Sequence, residues 1–151
     1  CLVVVNAVGE VRDPSNGTTL AGIRGNQEGE FLSSVAAITG GPSSEVLPGT
    51  NTTIAAIVTN VSMTKTQLTK VAQMAHDGMA RAINPVHTQF DGDTVFAAST
   101  KTSPIESDLS PADTVNQIGT AAAEALSKAI VLAVKHAETI DEIPSGVDWS
   151  V

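Results

Sequence analysis

Gly49-Thr50-Asn51-Thr52-Thr53-Ile54-Ala55-Ala56-Ile57-Val58-Thr59-Asn60-Val61 is the stretch where this sequence changes character. Before it the chain is polar and dense in turn formers. From Thr53 to Val61 it becomes a nearly continuous apolar run, the pattern of a strand buried on both faces. Thr52 stands at the strand's start, where a side chain is held by a rigid element yet remains close to a loop. Taken by itself, Asn-Thr-Thr at such a junction is an ordinary strand entry.

Downstream, Thr64-Lys65-Thr66-Gln67 has the capping-box pattern, in which the Thr hydroxyl and the Gln side chain satisfy each other's backbone donors. Leu68, Val71, Ala72, Ala75 and Met79 then recur on one face, so a helix should run to about Ile83, with Pro85 ending it. Residues 94–100 read as another strand, preceded by the tight loop Asp91-Gly92-Asp93. Ser110 and Pro111 form a strong helix start. The helix they open carries Val115, Ile118, Ala122, Leu126 and Ile130 and should reach about His136.

Upstream, Leu2-Val3-Val4-Val5 reads as a short buried strand, Asn6-Ala7-Val8-Gly9 as a turn, and Glu10-Val11 as the strand's resumption. Residues 12–50 hold Asp13-Pro14, Asn16-Gly17, Gly40-Gly41-Pro42 and Pro48-Gly49, the marks of a long surface excursion. Strands alternating with long helices point to α/β layers rather than a barrel or a bundle. No internal repeat is visible.

Composition narrows the class. The 151 residues are 42% apolar but mainly Ala and Val, with 3% aromatics and no Tyr, so the core depends on close approach of small side chains. A net charge of −8 with eight scattered basic residues argues against nucleic acid or an anionic membrane surface as partner. No apolar run reaches the eighteen or so residues of a membrane span and no signal segment opens the chain, so a soluble, cytoplasmic protein is expected. The lone Cys1 makes no intrachain disulfide. At position 1 it could be a processed nucleophile activated by its own amine, but the following Leu2–Val5 run continues as if Cys1 sat inside a strand, so the numbering reads as starting mid-protein.

Three stretches together resemble one family: Asn51-Thr-Thr-Ile-Ala-Ala-Ile-Val-Thr-Asn-Val61, Met74-Ala-His-Asp-Gly-Met-Ala-Arg-Ala-Ile83, and Pro85-Val-His-Thr-Gln-Phe-Asp-Gly-Asp-Thr-Val-Phe-Ala97. They are similar to the DmpA-type L-aminopeptidase/D-esterases, which include the nylon-oligomer hydrolases and β-peptidyl aminopeptidases. The likeness runs from about Leu2 to Ala97 and more loosely through the last helix. It implies a layered αββα sandwich of the DmpA and ornithine acetyltransferase type. Residues 1–151 would be the C-terminal part of one hydrolase domain, lacking the family's N-terminal half with its Tyr and Lys.

The resemblance also implies chemistry. In that family the precursor cleaves itself before a Ser or Thr, and Thr52 matches that position, so cleavage at Asn51–Thr52 would yield residues 1–51, the end of a larger subunit, and 52–151, the smaller one. The freed Thr52 amine, with a reference pKa near ~8, would take the hydroxyl proton during attack on an amide. Asn6 matches an Asn whose amide donates to the developing oxyanion. Asp91 and Asp93 match an acidic loop that orients the amine. Their local alternatives are a turn residue for Asn6 and, for the two carboxylates, a solvated turn with Asp93 capping the next strand. A calcium loop fits poorly, because Val95 and Thr102 fall where oxygen ligands are needed.

No His has metal-ligand spacing. His87 alone is a candidate for a supporting role beside the site, while His76 lies within a helix and His136 near a helix end. Neither metal nor cofactor is expected. The expected partners are the N-terminal half or subunit of the same precursor, a small peptide or amide-oligomer substrate, and further copies in a homo-oligomer. The Thr nucleophile and Ala56–Val61 look closest to the nylon-oligomer hydrolases. The rival readings are acyl transfer, as in ornithine acetyltransferases, and a processing-dead scaffold.

Overall fold

The computed structural model describes residues 1–40, 51–103 and 109–150. The turn formers at 41–42 and 48–49, with Thr50, lie outside the described residues.

The centre is a three-stranded sheet with order β1-β6-β8, formed by Leu2–Val4 (β1), Ile54–Val61 (β6) and Thr94–Ser103 (β8). β1 pairs antiparallel with β6, Val4 opposite Ile54. β8 pairs parallel with it, Ile54 opposite Thr94 and Ala56 opposite Phe96. A parallel neighbour requires a crossover. It is supplied by α2 (Lys65–Ala82), which starts at the Thr64/Gln67 capping box and ends before the short β7 (Ile83–Asn84).

The last long helix, α3 (Pro111–Lys135), begins as expected with Ser110 accepting from the Asp113 N–H and Pro111 in the first turn. It lies against α2 at two close approaches. A β-carbon added to Gly78 would stand 2.2 Å from the Ala123 carbonyl oxygen, and one added to Gly119 would meet the Met74 sulfur at 2.3 Å. These glycines let two Ala-rich helices pack without intervening bulk, as the composition suggested. Val71, Ala75, Met79, Ala122, Leu126 and Ile130 fill the layer between the helices and the Ala55 and Ile57 side of the sheet.

One expectation, a strand β6 buried on both faces, is met on one face only within this chain. Ala55 and Ile57 are in the core, but Val58 is 59% exposed, and Leu2, Val4, Ile54 and Phe96 share the open side. An unbroken Val/Ile/Ala run does not reveal which face is covered. By length and composition alone α3 could cross a membrane, a test that the core helix of a soluble protein also passes. Here Gly119, Ala122, Ala123, Leu126 and Ile130 form its buried face, while Asn116, Gln117 and Lys128 are exposed.

The first half of the excursion after Arg12 is more structured than its turn formers suggest. β2 (Glu10–Arg12) is the middle strand of a second small sheet, between β3 (Thr19–Ala21) and β7. A two-stranded pair, β4 (Ile23–Arg24) with β5 (Phe31–Leu32), leads to α1 (Ser34–Thr39). Buried Glu10 accepts from the Ser34 N–H at 2.7 Å and pairs with Arg12, so one paired carboxylate ties the start of α1 to the sheet. A single turn of helix, α4 (Gly146–Trp149), closes the chain.

Candidate active site

Thr52 precedes β6 at the point where three backbone segments meet. On one side its N–H donates to the Asn6 carbonyl at 2.7 Å, and its own carbonyl accepts from the Asn6 N–H at 3.2 Å. This extends the β1–β6 ladder into the turn. On the other side Asn51 bridges Asp91 in parallel register, and the Gly92 N–H donates to the Asn51 carbonyl at 3.0 Å. The sequence therefore enters the strand with the peptide between Asn51 and Thr52 fixed at both ends.

The side chain of Thr52 is half-buried, and its hydroxyl donates back to the Asn51 carbonyl oxygen at 2.5 Å. Gly92 makes this position possible. A β-carbon there would stand 2.7 Å from the Thr52 hydroxyl oxygen, while its next neighbours, also on Thr52, are at 3.6 and 3.7 Å. Thr53 turns the other way, as alternation along a strand requires. It is fully buried, and its hydroxyl has no hydrogen-bond partner among the described residues.

The two carboxylates of the Asp91-Gly92-Asp93 loop diverge. Asp91 accepts from the Val8 N–H at 3.1 Å, the Thr88 N–H at 3.1 Å and the Thr88 hydroxyl at 2.6 Å. It thereby joins the turn after β1 to the loop before β8. Asp93 accepts from the Thr53 N–H at 2.8 Å through one oxygen and from His87 through the other, by the ring Nδ1 at 2.8 Å and the backbone N–H at 3.2 Å. The Asp93 side chain is 3% exposed. The Thr52 nitrogen is held by the Asn6 carbonyl and by neither carboxylate: Asp93 acts on the following peptide at Thr53, and Asp91 acts on the turn at Val8 and the loop at Thr88.

Close approach also shapes the rim. Gly9 admits the Pro85 carbonyl, which a β-carbon would meet at 2.0 Å. This draws the Asn6–Gly9 turn against the loop that bears His87. The structure thus gathers Asn6, Asn51, Thr52, Asp91 and Asp93 in one place from well-separated parts of the chain. Sequence reasoning did not single out Gly92, Thr88 or His76, whose Nδ1 lies 3.1 Å from Nε2 of His87. The one local signal was a glycine between two aspartates. The described residues contain no group of His, Cys, Asp and Glu able to hold a metal ion.

A mixed α/β chain with a threonine at a fixed strand entry, next to an acidic loop, is compatible with a peptidase, the class of its sequence relatives. The profile of peptidase family S58 matches residues 1–145. The chain belongs to that family, as the DmpA-type resemblance indicated. It is 34% identical over 157 residues to a Mycobacterium tuberculosis protein named an uncharacterized aminopeptidase, covering 95% of this chain and 45% of the relative. A Mycobacterium leprae protein with a similar name is also 34% identical, with 95% and 42% covered. The 6-aminohexanoate-oligomer endohydrolase of an Agromyces strain is 41% identical over 102 residues, 66% of this chain and 28% of that enzyme. The chain spans less than half the length of the curated relatives it matches.

Proposed function

We propose that this chain is the catalytic, C-terminal portion of a self-processing amide hydrolase in which Thr52 is first the agent of maturation and then the nucleophile. The observation that carries this reading is the Thr52 hydroxyl poised on the Asn51 carbonyl, whose oxygen also accepts from the Gly92 N–H. In the uncleaved chain the hydroxyl oxygen attacks the Asn51 carbonyl carbon. The C–N bond to Thr52 breaks, the hydroxyl proton passes to the departing amine, and water hydrolyses the resulting ester. The Gly92 N–H faces the oxygen on which negative charge develops, the arrangement that stabilises acyl-transfer transition states.

After cleavage the Thr52 amine is a base attached to its own nucleophile. Its backbone partner, the Asn6 carbonyl, supports a fixed orientation for that amine. Asp93 restrains the adjoining peptide at Thr53, and Asp91 restrains the Asn6–Gly9 turn at Val8. Residues 1–51 and 52–151 would remain associated through the β1–β6 ladder.

The relatives' names favour amide bonds of small peptides or 6-aminohexanoate-type oligomers as substrates. The open apolar face of the sheet, with Leu2, Val4, Ile54, Val58 and Phe96, supports the layered αββα arrangement, its second sheet supplied by the N-terminal half of the precursor. The test is mass spectrometry and amidase assay of the full-length protein. Thr52→Ala should remain a single chain and be inactive, whereas Thr52→Ser should retain some cleavage and turnover. Processing of Thr52→Ala at the same bond would sink the reading.

A further inference from the structure

Behind the acidic loop lies a chain of side chains that the cleavage chemistry does not use. His76 is a half-buried residue of α2, and the exposed His87 is in the loop after β7 with a left-handed φ of 58°. Their rings meet edge to face, centroids 4.8 Å apart at 64°, with Nδ1 of His76 3.1 Å from Nε2 of His87. The other nitrogen of His87 reaches Asp93 at 2.8 Å, and Asp93 holds the Thr53 N–H at 2.8 Å. A continuous path of hydrogen bonds therefore runs from the middle of α2 to the peptide that follows Thr52.

We infer that His76 and His87 form a proton-ordered dyad that locks the Asp93 carboxylate onto the Thr52–Thr53 peptide, making both histidines positioning residues for the nucleophile. The inference rests on the reading of Thr52 given above. An ionised Asp93 only accepts, so Nδ1 of His87 must carry a hydrogen. In the neutral ring Nε2 is then the acceptor, and Nδ1 of His76 must be the donor. Every donor in the path thus points toward Asp93.

One added proton can be accommodated on the pair; a second sets two positive rings against each other at 3.1 Å. Burial first, and then the neighbouring His87 charge, hold the His76 imidazole below its usual pKa, while Asp93 and Asp77 pull the other way. The charged groups acting on His76 are thus one histidine and two carboxylates.

The test uses the full-length protein. In uncleaved Thr52→Ala, ¹⁵N shifts of the histidine rings should show His87 as the Nδ1–H tautomer with Nε2 unprotonated. The Nε2–H tautomer would overturn the inference. Among cleaving variants, His87→Asn keeps a donor near Nδ1 and suits positive φ. It should self-cleave and turn over within about threefold of the parent at neutral pH. His87→Leu and His76→Leu delete the path and should each lose about tenfold or more. The second changes a helical position without backbone strain, so it decides the matter if the first does not fold. Leu variants with parental rates and pH profiles would overturn the dyad while leaving Thr52 intact. Cleavage of Thr52→Ala would sink the nucleophile instead, and the tautomer would still judge the dyad.

Discussion

Gly92→Ala is the sharpest probe of the site, because a single added methyl meets one atom that matters. The backbone of Gly92 is not in the left-handed region and the residue is exposed, so alanine is conformationally acceptable there. Such a change is worth within about 1 kcal/mol of folding stability and can even favour the native state. The new β-carbon, however, falls 2.7 Å from the Thr52 hydroxyl oxygen, about 0.7 Å short of ordinary van der Waals contact, while the other nearby Thr52 atoms are at comfortable distances. The oxygen must move or rotate by that amount. Misplacing a reacting group by about 1 Å costs roughly 100-fold, so self-cleavage should slow by about 10- to 100-fold. The measurement is the rate at which purified full-length precursor converts to two chains, followed by mass spectrometry, beside a thermal melt that should shift by no more than about 2 °C. A double variant supplies the control. With Thr52→Ala already present there is no hydroxyl to meet, so adding Gly92→Ala should leave stability unchanged. Parental cleavage by Gly92→Ala would refute the claim that this glycine makes room for the reacting oxygen.

Two further outcomes follow from the same region and its surroundings. Thr53→Val replaces a fully buried hydroxyl, without a hydrogen-bond partner among the described residues, by a methyl of similar shape, so denaturant unfolding should show stability equal to the parent or higher by about 1 kcal/mol, with cleavage preserved. Asp13 is held near a pKa of about 2, first by the Ser15 hydroxyl and next by Lys135 on α3. Its contribution to stability is present above the unfolded carboxyl value of 3.8 and is lost as pH falls through about 2. NMR titration should find that low midpoint, with Ser15→Ala raising it more than Lys135→Met.

What the sequence determined by itself is local. The caps at Thr64 and Ser110, the helices they open, the strand after Thr52 and the turn at Asn6–Gly9 all depend on residues within a few positions of one another. Backbone donors at helix ends must be satisfied nearby, which makes such signals legible in one dimension. The resemblance added Asn6, Asn51, Thr52, Asp91 and Asp93 as a set, but no spacing in the chain relates Val8 to Asp91 or Thr53 to Asp93.

Only the tertiary structure decided the rest. The parallel register of β6 on β8 brings Gly92 to Thr52, and the packing of α2 over that sheet brings His76 to His87. The sidedness of β6 was likewise a tertiary matter: the continuous Ile/Ala/Val run read as buried on both faces, and which face is covered within this chain depends on where α2 and α3 lie. Glycine carries its meaning in the same way. Its lack of a side chain is visible in the sequence, but the atom that occupies the vacated space, the Thr52 oxygen at Gly92 or the Ala123 carbonyl at Gly78, is supplied by a distant part of the chain.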